Sequence, residues 1–316
     1  TRNTGAGCIL SDIDIKEESA GAKAAADSCK NAGASVSNIM LTLEDGEFSI
    51  ENMPYNVSQS PLKDATGWVN APEGAKEFIA LTCKGLQRRP CLLLKNEAGE
   101  YDTVALYRSK KDEAPLAVSK YQQFSPYYQD ETVKQDGSKF TCTRNICFAY
   151  HNEDYTVVSL WINKAMDIAD DAAWHPKSLH QEIIDNVGPW APPGGLGGQN
   201  TFFTKCLMLP NWENYNNWQA ACLKYFMDNE KFDVIFSHLH NVDGIGHMIW
   251  PHGRENHHTP VEAVELNQEY MAETYRQTDR YIGQFLQYLD EGWTIILTSD
   301  HGLICDTNEE GPALMG

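Results

Sequence analysis

The chain has 316 residues, 42% hydrophobic and 22% charged, which suits a globular protein with a sizeable core and leaves room for two domains. Its formal charge of −19 excludes a surface built to grip nucleic-acid phosphates, and it requires that any anionic ligand be drawn in by local positive charge such as bound metal. No apolar run approaches the ~20 residues that a membrane-spanning helix needs.

The first 36 residues carry a glycine-bearing turn at Gly5-Ala-Gly7 and an alanine-rich helical stretch from Ser19 to Gly33. From 37 to 163 the texture is β. Ile39–Leu43 and Glu47–Ile50 flank a hairpin signal, Glu44-Asp45-Gly46. Phe78–Cys83, Cys91–Lys95 and Tyr101–Arg108 read as strands, with a tight connection at Asn96–Gly99. Phe140–Tyr150 and Tyr155–Ile162 read as a further hairpin turning at Asn152-Glu153-Asp154. Residues 37–163 are therefore expected to be a β-rich domain, between an N-terminal core segment (1–36) and a C-terminal α/β part (164–316).

Helix returns with Ser178–Val187, ending near Gly188-Pro189, and with Asn217–Asn229, whose expected apolar face is Trp218, Ala221, Cys222, Tyr225 and Phe226. Between them lies a Pro/Gly loop, residues 190–198. Two short apolar runs then follow, Phe232–Phe236 and Thr294–Thr298, separated by a long helix from Pro260 to Leu289 that Gly292 stops. The spacing predicts two parallel strands joined by a helical crossover, with Leu266, Tyr270, Tyr275, Tyr281, Ile282, Phe285 and Leu289 available for burial.

Chemistry-bearing side chains gather where each run stops: Ser237, His238, His240, Asp243 and His247 after the first, Asp300 and His301 after the second. Ligands of open α/β sheets sit at the carboxyl ends of strands, so neighbouring strands would aim both clusters into one crevice. Carboxylate with imidazole is a ligand set for zinc and related divalent ions, and one helical turn puts Asp243 and His247 on a single face. A metallo-β-lactamase-like H-x-H-x-D-H does not fit, because Asp243 falls one residue late and Gly244 replaces the next histidine. The amidohydrolase H-x-H belongs on an early barrel strand, whereas this one is late.

Asp243-x-x-Gly246-His247, with Pro251 following, resembles the D-x-x-G-H…P stretch of type I phosphodiesterases/nucleotide pyrophosphatases in the alkaline phosphatase superfamily. Thr298-Ser299-Asp300-His301-Gly302 is similar to the same family's S-D-H-G stretch. The resemblance implies an α/β fold, an alkaline-phosphatase-like parallel-sheet core with a β-rich insertion. It also implies phosphodiester hydrolysis with two divalent metals, zinc first and manganese or magnesium as alternatives. Asp243 and His247 correspond to ligands of one metal, and Asp300 and His301 are assigned to the second. The substrate implied is a small-molecule phosphate ester, and no substrate-binding residue is assigned. The family's Thr or Ser nucleophile on an N-terminal strand and its last His ligand have no counterpart here, so the resemblance implies a fragment that is a poor enzyme by itself. A sulfatase or phosphomutase of the same superfamily, or a non-catalytic binding protein on this scaffold, are the alternatives. His238, His240 and the histidines of the loop His252–His258 stay open as further site residues.

His151, His175 and His180 lie in surface-like contexts. The nine cysteines form an odd, scattered set that fits reduced thiols in a cytoplasmic protein better than a disulfide framework. Cys142 and Cys147 lack a second pair at zinc-finger spacing and read as buried strand cysteines.

Overall fold

The computed structural model describes residues 62–82, 87–133, 138–155, 158–163, 165–172, 174–189, 204–229, 232–250 and 261–302. The expectations for residues 1–50, the loop 190–198 and His252–His258 lie outside these. The chain divides into two compact units, Thr1–Ile184 and Asp185–Gly316.

In the first unit an antiparallel five-stranded meander runs β1 (Lys63–Asp64), β2 (Lys76–Thr82), β3 (Gln87–Lys95), β4 (Tyr101–Leu106) and β5 (Ala117–Lys120). The Asn96–Gly99 connection forms as read. The Asn96 carboxamide oxygen accepts from the backbone N–H of Ala98 and Glu100, and Gly99 takes the positive φ of 84° that the turn needs. β3 is apolar on both faces. Cys91 and Leu93 enter a core shared with Phe78, Leu106, Ile146, Phe148 and Ile162, while Leu92 packs with Ala75, Ala105 and Tyr107 on the other side. β6 (Tyr128–Val133), β7 (Lys139–Arg144) and β10 (Met166–Asp167) form a second antiparallel sheet, and β8 (Ile146–His151) pairs with β9 (Val158–Ile162) and is bridged on its other edge by Tyr121 and Phe124.

The run Phe140–Tyr150 is thus two strands in different sheets. It breaks at Asn145, a buried residue whose backbone carbonyl and side-chain oxygen both accept from Asn163. That polar pair replaces a continuous ladder. The hairpin turn at Asn152–Asp154 forms as expected. On β6 the carboxylate of Asp130 is fully buried between Arg89 of β3, at 2.7 Å, and Arg144 of β7, at 3.0 Å.

The first unit ends within α1 (Ser178–Asn186). The second unit is helical among its described residues: a π-turn at Thr204–Met208 leads straight into α2 (Leu209–Asn229), followed by α3 (Asn241–Ile249), α4 (Val261–Gly283) and a 3-10 turn, Leu286–Leu289. α2 begins eight residues earlier than the apolar spacing suggests. Pro210 lies in its first turn, where a missing N–H costs nothing. Its inward face is Leu209, Trp212, Asn216, Ala220 and Cys222, so Trp218, Tyr225 and Phe226 are not its buried stripe. On α4, Leu266, Tyr275 and Leu289 of the following turn are exposed. Tyr270, Tyr281 and Phe285 are buried as expected, and the buried stripe also takes in Val264, Asn267, Met271, Thr274 and Gln277, with the Gln277 amide donating to the Leu209 carbonyl of α2 and the Thr274 carbonyl accepting from Asn241 of the preceding helix. Gly292, at φ 94°, ends this helical region as expected.

All described sheets are antiparallel. The chain is a mixed α/β protein, but the expected pairing of 232–236 with 294–298 is not seen. Among the described residues neither run has a backbone hydrogen-bond partner, and Phe236 and Ile296 are 95% and 83% exposed.

Candidate metal centre

Although unpaired, both runs are anchored along one side. Leu239, Trp293 and Ile295 pack against Ala220 of α2 and Tyr281, Phe285 and Tyr288 at the end of α4. The amide of Gln219 donates to the Ser237 hydroxyl (3.1 Å) and the His238 carbonyl (2.7 Å), and Ser237 also meets the Tyr281 hydroxyl at 3.3 Å. With alternate residues held this way, His238 and His240 are left exposed, their rings edge to face with centroids 4.2 Å apart.

His240 stands at the cap of α3, its carbonyl accepting from the N–H of Gly244 at 2.7 Å. α3 is short, so its orientation comes from packing. Ile245 and Ile249 enter a core with Met208, Trp212, Tyr270 and Met271. A Cβ on Gly244 would lie 2.7 Å from the Trp212 ring, so only glycine lets helix and indole approach this closely. Asn241 is fully buried and its amide donates to the Thr278 hydroxyl (2.9 Å) and the Thr274 carbonyl (3.3 Å) of α4.

This seating fixes the first motif. Asp243 lies in the first turn of α3, where a carboxylate suits the helix dipole, and His247 in the last. The Asp243 carboxylate sits between two imidazoles, with Oδ1 3.0 Å from His247 Nε2 and Oδ2 3.3 Å from His240 Nδ1. The second motif arrives from the other run. Asp300 Oδ2 lies 3.7 Å from both His238 Nε2 and His301 Nε2, and Asp300 Oδ1 accepts from the His301 N–H at 3.1 Å. Its own backbone N–H, then the neighbouring His301 and His238, hold the Asp300 carboxyl below the usual carboxylate range. The four residues picked from sequence therefore share one strip: His247, Asp243, His240, His238, Asp300, His301.

Donor atoms bound to one zinc ion at ~2.0–2.2 Å stand roughly 3–3.4 Å apart, and the two contacts of Asp243 fall in that range. Asp243 Oδ1 is also buried, and among the described residues its 3.0 Å approach to the His247 ring is unsupported by any hydrogen bond, as for two donors that share a cation. In kind and in pairwise spacing the donors fit a divalent ion. They do not close a shell, since among the described residues no three such donors gather around one point.

Asn241, Gln219 and Tyr281 escape the motif reading. The signal for Asn241 is its register, four and eight residues before Ile245 and Ile249, which places a polar side chain on the buried face of α3. His180 is buried rather than solvated, tilted against Trp174, and His151 is half-buried and stacked on Tyr155. Cys142 and Cys147 are buried free thiols on β7 and β8. The thiols of Cys206 and Cys222, also buried, are pushed up to about 12 by desolvation, which leaves them inert.

No curated protein and no solved structure matches the chain. The profile of the type I phosphodiesterase / nucleotide pyrophosphatase family matches residues 131–306, more than half of the chain, and encloses both motifs. With its motif side chains gathered in one strip and this match across them, the chain belongs to the type I phosphodiesterase / nucleotide pyrophosphatase family.

Proposed function

We propose that the protein hydrolyses a small-molecule phosphate ester, a diester first of all, with two divalent cations held by Asp243 and His247 and by Asp300 and His301. The observation that carries this reading is the 3.7 Å approach of His238 to Asp300, which joins two motifs far apart in sequence into one site. Bound there, a pair of cations would supply charge stabilisation at the attacking and leaving oxygens of an in-line displacement. The chain's own part is placement. α3 presents Asp243 and His247 from one face because Asn241 and the Gly244–Trp212 contact fix its rotation. The second carboxylate comes from a segment anchored through Trp293 and Ile295. All six side chains of the strip reach solvent, so an ester can approach without an opening motion.

The test is turnover of a bis-aryl phosphodiester by the protein with added zinc or manganese. Turnover should vanish on chelation, return with metal, and drop by at least ~100-fold in Asp243→Ala and in Asp300→Ala, since each removes a cation worth several kcal/mol of transition-state stabilisation. A protein that binds zinc tightly yet cleaves no phosphate ester would be a non-catalytic member of the family.

A further inference from the structure

We propose that His238 and His240 are positioning residues, an imidazole bridge that holds the carboxylates of Asp243 and Asp300 in place for the two cations. The inference rests on the metal-dependent reading above and deepens it. Neither histidine does structural work that would explain it. Their side chains are 59% and 53% exposed, so packing gains little from them. Their backbone, in contrast, is held by the Gln219 amide at the His238 carbonyl, by the Gly244 N–H at the His240 carbonyl, by the Ser237–Tyr281 contact and by the half-buried Leu239 between them. Exposed side chains on a pinned backbone are placed to act on something in front of them.

In front of each lies one carboxylate. His240 Nδ1 faces Oδ2 of Asp243, while the buried Oδ1 is turned to the His247 ring. His238 Nε2 faces Oδ2 of Asp300, whose Oδ1 already accepts from the His301 N–H. Each carboxylate is thus met by an imidazole from its own motif and by one from the His238-x-His240 pair. A ligating carboxylate loses affinity when it can rotate, and groups that pin it are worth about 10–100-fold in metal binding. The edge-to-face contact of the two rings makes each the other's support, so loss of one should also loosen the other carboxylate.

Zinc and cobalt binding to the 316-residue chain, read by competition with a chromophoric chelator, tests this without reference to turnover. His240→Ala and His238→Ala should each weaken metal binding by about 10–100-fold with an unchanged melting temperature. His240→Asn and His238→Gln should recover most of it, because a carboxamide N–H can stand where Nδ1 and Nε2 stand. The cobalt absorption bands of all four variants should keep the wild-type positions. Alanine variants that bind like the wild type would overturn the proposal while leaving the metal reading intact. Shifted cobalt bands, with no recovery in the amide variants, would overturn it by making the histidines direct ligands. A wild-type chain that binds neither ion would sink both the proposal and the metal reading.

Discussion

Glu77 shows how single residues hold the β-rich unit together. It is 3% exposed near the start of β2, where an unpaired carboxylate would be costly. Burial pushes its pKa up, but Lys110, the Trp68 indole N–H, the Thr66 N–H and Lys63 together outweigh that and bring it down from 4.5 to about 2. A depressed carboxyl stabilises the fold above its unfolded pKa, and the contribution is lost as pH falls through the folded value. Between pH ~4.5 and ~2 the protein should lose roughly 3 kcal/mol from this group alone. Urea unfolding across that window should show the decline, and Glu77→Gln should flatten it while lowering stability at neutral pH. An unchanged slope in the variant would mean that Glu77 is not held ionised. Asp130 follows the same sign: burial raises its pKa, and hydrogen bonds from Arg89 with the charge of Arg144 hold it below the ordinary range. None of these partners is near Glu77 or Asp130 in sequence, which is why no motif marks them.

At the scale of elements, what was legible depended on whether a segment is read by its own periodicity or by its neighbours. Turns with their own chemistry, such as Asn96–Gly99 and the stop at Gly292, form where the residues place them. The buried faces of α2 and α4 were misread because polar residues take part in them, Asn211 and Asn216 on α2 and Asn267, Thr274 and Gln277 on α4, with the Gln277 amide donating to the Leu209 carbonyl of α2, something a count of apolar residues misses. Phe232–Phe236 is the sharpest case, an apolar run that reads as a buried strand and lies unpaired with Phe236 95% exposed. Phe236→Ser should therefore change the unfolding free energy by less than ~0.5 kcal/mol, as surface substitutions do. A loss of ~3–5 kcal/mol, the cost of emptying a core phenylalanine site, would show the run packed inside a sheet in solution.

For the whole molecule, charge sets the terms on which a substrate arrives. The chain carries −19, and two divalent cations would leave it strongly negative. An anionic ester must then cross a repulsive field that salt screens, with a Debye length falling from ~30 Å at ~0.01 M to ~8 Å at ~0.15 M. On the proposed function, kcat/KM for an anionic diester should rise several-fold over that range, with little change for a neutral ester. A fall with added salt would mean that local positive charge at the site governs encounter instead.

What the sequence determined by itself was the chemistry and its place along the chain. Residue types at fixed spacing, Asp243-x-x-Gly246-His247 and Ser299-Asp300-His301-Gly302, point to the family and to its carboxylate and imidazole donors, because such motifs depend on side-chain identity and local register. Only the tertiary structure decided what holds those residues and what stands beside them. The buried Asn241 amide, the indole that admits no Cβ at Gly244, and the approach of His238 to Asp300 are contacts between segments tens of residues apart. Such contacts leave no periodic trace in one chain, because each depends on which residue happens to lie opposite after the helices have packed.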